Sequence, residues 1–186
     1  LGVEGGAAVA EGITKLLHGH PDRYDAVIAS RDWHDGDNDN GGHFSENPDY
    51  VDSWPRHCVS FSNGAAYHPA LDASLIDIHV RKGQGKPAYS IFEGVTDDDE
   101  DVYDLLDRLD VTEIDVVGIA TDYCVLASAL DAVEANAANQ SATVTYDPDR
   151  TSVAELAEWV RACGFHCAGR SVPLHVCEPM DEDPRH

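Results

Sequence analysis

With 186 residues, 12 basic against 35 acidic side chains and a formal net charge of -23, the chain presents a surface that repels phosphate backbones and anionic lipid. Nucleic acid and membranes are therefore not its expected partners, and no apolar run reaches the length of a membrane span. A hydrophobic content of 42% is enough to build one α/β domain with a sizeable core. The five cysteines, Cys58, Cys124, Cys163, Cys167 and Cys177, are an odd number in a chain too large to need disulfide staples. With no signal peptide in view, a reducing cytoplasm is the expected compartment. The chain opens on Leu1 rather than Met, and the reading expects a preceding segment.

In chain order, Ala7 to His18 has helical apolar spacing at Ala10, Ile13, Leu16 and Leu17. Tyr24 to Ser30 reads as a buried strand, and Arg31 to His68 as a long polar loop of a kind that is usually functional. Leu75 to Val80 predicts a second strand, followed by a Lys-Gly turn and a loop through Gly94. The acidic run Asp97 to Asp101 predicts the start of a helix ending near Leu109. Asp115 to Ile119 predicts a third buried strand, and Thr121-Asp122 the caps of a helix from Tyr123 to Asn136. This alternation predicts a three-layer α/β/α fold around a mostly parallel sheet. Sites in such sheets lie beyond the carboxyl ends of the strands, here after Ser30, Val80 and Ile119. Near Asn136 the character changes. Thr143 to Tyr146 predicts a strand, and Ser152 with Glu155 a capping box for a helix through Cys163, so residues 1–136 and 137–186 read as two regions, the second a β-α-β segment.

Three clusters carry chemistry. Cys124 sits one residue into its helix, where the dipole and free amides favour thiolate and where the backbone of Ala120 and Cys124 can hold an oxyanion. The bland alternative is a small core cysteine. Lys82, at the end of the second strand, can stabilise a thiolate and orient a carboxylate, or can be a surface lysine. Asp32 and His34 share one side of an extended segment, and His43 and His57 follow in the same loop. One carboxylate with three imidazoles suits zinc, iron(II) or manganese(II) better than magnesium or calcium. Asp35, Asp37, Asp39 and His68 are rival ligands.

The stretches RDWHDGDNDNGGHFSENPDYVDSWPRHCV, YHPAL, VRKGQGKPAYSIFEG and DVVGIATDYCV resemble, in order and spacing, the nicotinamidases of the isochorismatase-like hydrolase superfamily. The resemblance runs from Leu1 to about Asn136. It implies that Asp32, His34, His43 and His57 ligate a divalent metal that receives a pyridine nitrogen. It further implies Cys124 as nucleophile, Lys82 as triad lysine, Ile119-Ala120 as a cis peptide beside the oxyanion hole, and Trp54 and Tyr89 as walls around the ring. The implied reaction converts nicotinamide to nicotinate and ammonia through a thioester, with pyrazinamide-like amides as further substrates.

The sequence departs from that pattern twice. The family's triad aspartate lies on a first strand that precedes anything matching Leu1, so impaired turnover is expected of this chain. Residues 142–186 instead resemble the second half of a heavy-metal-associated domain of copper-transporting P-type ATPases, without the CxxC pair of the first half. Cys163, Cys167, Cys177, His166 and His175 are its candidate soft-metal ligands. Two other functions stay open: another isochorismatase-like hydrolase acting on a different amide or a vinyl ether, and a non-catalytic metal-binding module. A homo-oligomer is also left open.

Overall fold

A computed structural model describes residues 2–135 and three short strand segments beyond them, Thr143–Val144, Phe165–Cys167 and Cys177–Pro179. Helix α1 (Gly6–Gly19) lays Ala10 inward and is pinned by Thr14, whose hydroxyl donates to Ala70 O at 2.8 Å and accepts from Asp72 N at 2.9 Å. Strand β1 (Ile28–Asp32) pairs in parallel with β2 (Ile78–Lys82), from Ile28 opposite Ile78 to Asp32 opposite Lys82. A two-residue strand, β3 (Val95–Thr96), runs antiparallel along the other edge of β2. The central strand therefore has partners on both sides, and Val80 at its middle is fully buried.

Helix α2 (Val102–Arg108) starts where the Asp101 carboxylate accepts from Tyr103 N at 2.8 Å, satisfying one of the orphan donors of its first turn. It contributes Val102 to a core cluster with Val80, Phe92 and Ala132, against which Ile28, Ile91, Leu106 and Ile114 pack. Strand β4 (Asp115–Val116) leads through a π-helical turn, Thr121–Val125, into α3 (Leu126–Ala135). Strand β5 (Thr143–Val144) pairs in parallel with β4, and β6 (Phe165–Cys167) pairs antiparallel with β7 (Cys177–Pro179). The result is a three-layer α/β/α arrangement on a mixed sheet. Among the described residues no helix is long and apolar enough to cross a membrane.

Several expected elements shift. The first strand begins only at Ile28, where pairing with β2 becomes available, and it runs on to Asp32. Leu75 falls in a 3-10 turn, Ala73–Leu75, because Asp72 accepts from Ser74 N and turns the chain before β2. Within the acidic run only Asp101 caps the helix, while Asp97 pairs with Arg81 at 3.0 Å. The third strand is shorter than DVVGI and is not wholly buried, with Val117 37% and Ile119 45% exposed. Thr121 and Asp122 make no side-chain cap, because the chain enters α3 through the π turn from Ala120. Strand β3 was not anticipated, since a two-residue strand has no period to read. The Ser152/Glu155 box, Cys163 and His175 lie outside the described residues; the backbone register sets Cys167 opposite Cys177 and His166 opposite Glu178.

Leu105 is fully buried in α2, so Leu105→Ala leaves a cavity that the packed core cannot close. A loss of about 3 kcal/mol in unfolding free energy is expected from urea titration.

Candidate active site

Three imidazoles converge at the carboxyl end of β1. His34 lies two residues beyond the strand and is held on both sides of its backbone, donating from its N–H to Cys58 O at 3.0 Å and accepting from Ser60 N at 2.9 Å. His43 is fixed by the Phe44–Trp54 bridge, where its carbonyl accepts from Trp54 N at 2.8 Å. Ring centroids stand 4.6 Å apart for His34–His43, 5.0 Å for His34–His57 and 5.2 Å for His43–His57. One ligand atom from each lies within 4.8 Å of the others.

The outer hydrogen bonds orient these rings. His34 Nδ1–H donates to Gly83 O at 2.8 Å and His57 Nδ1–H to Pro55 O at 2.6 Å. Both donations leave Nε2 as the free lone pair, the arrangement expected of a histidine that ligates a metal. Among the described residues, His34 Nε2 and His43 Nδ1 are buried without a hydrogen-bond partner. Burial pushes the His34 imidazolium below its ordinary range, against the Gly83 carbonyl bond and the Asp32 charge that favour it. For His43, burial and the two neighbouring imidazoles push the pKa to about 4. Both rings are thus neutral at pH 7. Buried, neutral, convergent and unsatisfied nitrogens fit a borderline divalent ion, and the chemistry of this donor set admits zinc, iron(II) or manganese(II).

Gly83 leaves room for the His34 ring. It has φ +83°, and a Cβ there would meet His34 Cε1 at 2.5 Å and Nδ1 at 2.6 Å. Asn40, fully buried, accepts from Asp35 N at 2.8 Å and Gly85 N at 3.1 Å, tying the long loop to the chain leaving β2. The rival ligands are engaged elsewhere: Asp35 and Asp37 accept from Asn38, Asp39 from Gly41 N, and His68 Nδ1 from Ala70 N.

The thiol and the ammonium meet beside this cluster. Lys82 is almost completely buried, and its Nζ donates to the Asp32 carboxylate, to Ala88 O at 3.2 Å and to Cys124 Sγ at 3.5 Å. Burial works to lower the Lys82 pKa, but Asp32 and Cys124 together outweigh it and hold the ammonium charged. Asp32 does not join the triangle of imidazoles; its carboxylate forms a separate group with His57 and Cys58. Cys124 was expected to have a depressed pKa. Burial instead pushes its thiol above the ordinary value, with Asp32 adding to the rise, while Lys82 and a hydrogen bond from the Ala120 backbone act against it. A helix dipole acts within its first turn and through solvent, so it cannot offset the loss of water around sulfur here.

Aromatic side chains pack together beside His43. Trp54 Nε1–H donates to Tyr89 Oη at 3.1 Å, and the ring of Tyr123 lies 5.2 Å from Trp54 and 5.5 Å from Tyr89. Tyr89 also stands 6.0 Å from His43. Sequence reasoning named Trp54 and Tyr89 but missed Tyr123. Its place immediately before Cys124, in a turn leading from a strand end, is the signal that could have found it. The Ile119-Ala120 peptide is cis, and Ala120 O accepts from Tyr123 N at 3.2 Å and Val125 N at 3.1 Å.

The Isochorismatase domain profile matches residues 2–161. The chain belongs to the isochorismatase family. The matched span passes residue 136 and takes in β5, the strand that pairs with β4. The chain is 48% identical to the nicotinamidase/pyrazinamidase of Mycobacterium tuberculosis over 133 residues, which cover 72% of this chain and 69% of that protein. Two solved isochorismatase-fold structures are also similar. The pyrazinamidase of Pyrococcus horikoshii in complex with zinc has 26% identity and a TM-score of 0.60, covering 85% of this chain and 83% of the other. An L. infantum protein in complex with nicotinate has 30% identity and a TM-score of 0.56, covering 73% and 66%.

Three outcomes follow from this geometry. Gly83→Ala drives a methyl into the His34 ring and is expected to weaken zinc binding by about tenfold or more, with the far-ultraviolet circular dichroism unchanged. In the metal-free protein, iodoacetamide labelling of Cys124, followed by peptide mass, is expected to stay slow at neutral pH and to rise above the range of an ordinary thiol. Lys82→Met removes the cation that opposes burial and is expected to move that rise further alkaline.

Proposed function

We propose that this chain is a nicotinamidase-type amidohydrolase, which converts nicotinamide to nicotinate and ammonia through a thioester on Cys124. One observation carries the reading. The thiol–ammonium pair and the three imidazoles adjoin one another through Asp32, which touches Lys82 and groups with His57, and the rings of Trp54, Tyr89 and Tyr123 pack together beside His43. The names of the similar proteins, and the nicotinate and zinc bound in two of them, support the same substrate class.

His34, His43 and His57 would hold the divalent ion, with Asp32 as the fourth ligand that the family resemblance implies. When bound, that ion supplies Lewis acidity for the heteroatom of a pyridine or pyrazine ring. Trp54, Tyr89 and Tyr123 enclose the ring and exclude water, and so present the carboxamide carbon to Cys124 Sγ. The sulfur gives up its proton and forms the C–S bond, and the carbonyl electron pair moves onto oxygen beside the amides of Ala120 and Cys124. Collapse breaks the C–N bond and nitrogen departs as ammonia with the proton. Water then attacks the thioester, releasing nicotinate and restoring the thiol. Lys82 keeps positive charge beside the sulfur in each ionised state. The reaction belongs to salvage of the pyridine ring of NAD, in the reducing cytoplasm that suits the free thiols Cys58 and Cys124.

The test is ammonia release by the zinc-loaded chain from nicotinamide and pyrazinamide, with isochorismate as the alternative substrate. Turnover of the two amides is expected. Cys124→Ala is expected to lower it by about a thousandfold or more while zinc stays bound. Ammonia release no faster than that of Cys124→Ala, or turnover of isochorismate alone, sinks the proposal.

A further inference from the structure

The chain leaves β2 at Lys82, runs outward through exposed residues 84–87 and returns at Ala88, which is buried. There the Ala88 carbonyl accepts from Lys82 Nζ at 3.2 Å. The other end of the same peptide group, Tyr89 N–H, donates to Glu93 Oε2 at 2.7 Å. The next amide, Ser90 N–H, donates to that same oxygen at 2.9 Å. The Ala88–Tyr89 peptide is trans, so its C=O and N–H lie in one plane and point in opposite directions. Holding the amide on Glu93 therefore aims the carbonyl at the ammonium.

The fold places Glu93 for this task. The 3-10 turn Ile91–Glu93 begins where Ser90 Oγ accepts from Phe92 N at 3.2 Å, and Glu93 completes a capping box with Ser90. Phe92 anchors the turn in the core beside Val80, and Ile91 N donates to Ser128 Oγ at 2.9 Å, on α3 one turn past Cys124. A continuous path thus runs from the Glu93 carboxylate through one peptide group and the Lys82 ammonium to Cys124 Sγ, 3.5 Å from Nζ. A carboxylate on the N–H end and an ammonium on the C=O end polarise the peptide in the same sense, so each hydrogen bond strengthens the other. The same clip seats the Tyr89 ring, whose Oη accepts from Trp54 Nε1–H at 3.1 Å.

We infer that Glu93 is a positioning residue that holds the Lys82 ammonium against Cys124 through the Ala88–Tyr89 peptide, an assignment that rests on the amidase reading only for its effect on turnover. Glu93 itself stands on the exposed side of the clip and acts on the sulfur solely through the lysine.

The rate at which iodoacetamide alkylates Cys124 in the full, metal-free chain, followed by peptide mass at mildly alkaline pH, reads the cation beside the sulfur without any substrate. Glu93→Ala is expected to slow that rate about fivefold. Glu93→Gln keeps an oxygen for both amides and is expected to stay within about twofold of the parent. In a Lys82→Met background, Glu93→Ala is expected to change the rate by less than about twofold, because its effect travels through the ammonium. On nicotinamide, Glu93→Ala is expected to lower kcat about tenfold, again with recovery by Glu93→Gln. Alkylation of Glu93→Ala within about twofold of the parent rate, or an equal slowing with and without Lys82, overturns the inference. If Glu93→Ala does not fold, Glu93→Asp, one methylene too short to reach both amides, takes its place with the same expected outcomes. Should the parent release no ammonia, the amidase reading fails, while the alkylation rates still judge the role of Glu93.

Discussion

The site depends on an ammonium ion buried where it cannot be hydrated. Lys82 sits at the end of the central strand with almost no exposure, and its charge survives because an acid from the neighbouring strand, a carbonyl from the following loop and a sulfur from the π-helical turn before α3 surround it. Each partner comes from a different stretch of chain. Holding them together fixes the end of β1, the loop after β2 and the turn before α3 in one arrangement.

A second tension lies next to the first. The fold draws three imidazoles together, two of them buried, and among the described residues leaves His34 Nε2 and His43 Nδ1 without partners. Unsatisfied buried nitrogens weaken a metal-free protein, and the depressed pKa of His43, about 4, shows that protonation offers little relief. Carbonyls of Gly83 and Pro55 aim two of the rings, and the absence of a side chain at Gly83 makes room for one of them. Stability is given up at this point in exchange for a preorganised donor set. The same trade appears at Cys124, where burial makes the thiol a weaker acid and the adjacent lysine recovers part of the loss.

Much of this was legible in the chain itself. The alternation of apolar segments announced the α/β class, and polar residues clustered after three strand ends, among them His34, Lys82 and Cys124, come together in the fold. Local patterns were less faithful. Thr121 and Asp122 look like caps, yet the chain takes a π turn from Ala120 that needs neither. DVVGI looks like a continuous buried strand, yet among the described residues only Asp115–Val116 pairs. Tyr123 carried no periodic signal, and its packing against Trp54 and Tyr89 emerges only in the fold.

The sequence by itself determined which chemistry is available: a thiol at a helix start, a lysine at a strand end, and histidines spaced along one loop. Residue types and strand-end positions are local properties, so they can be read along the line of the chain. Tertiary structure alone decided how those groups are shared. Whether Asp32 faces a lysine or an imidazole depends on the register between β1 and β2, and the acidity of Cys124 on how much water its neighbours exclude. Register and desolvation are set by contacts between distant segments, which no spacing along the chain encodes.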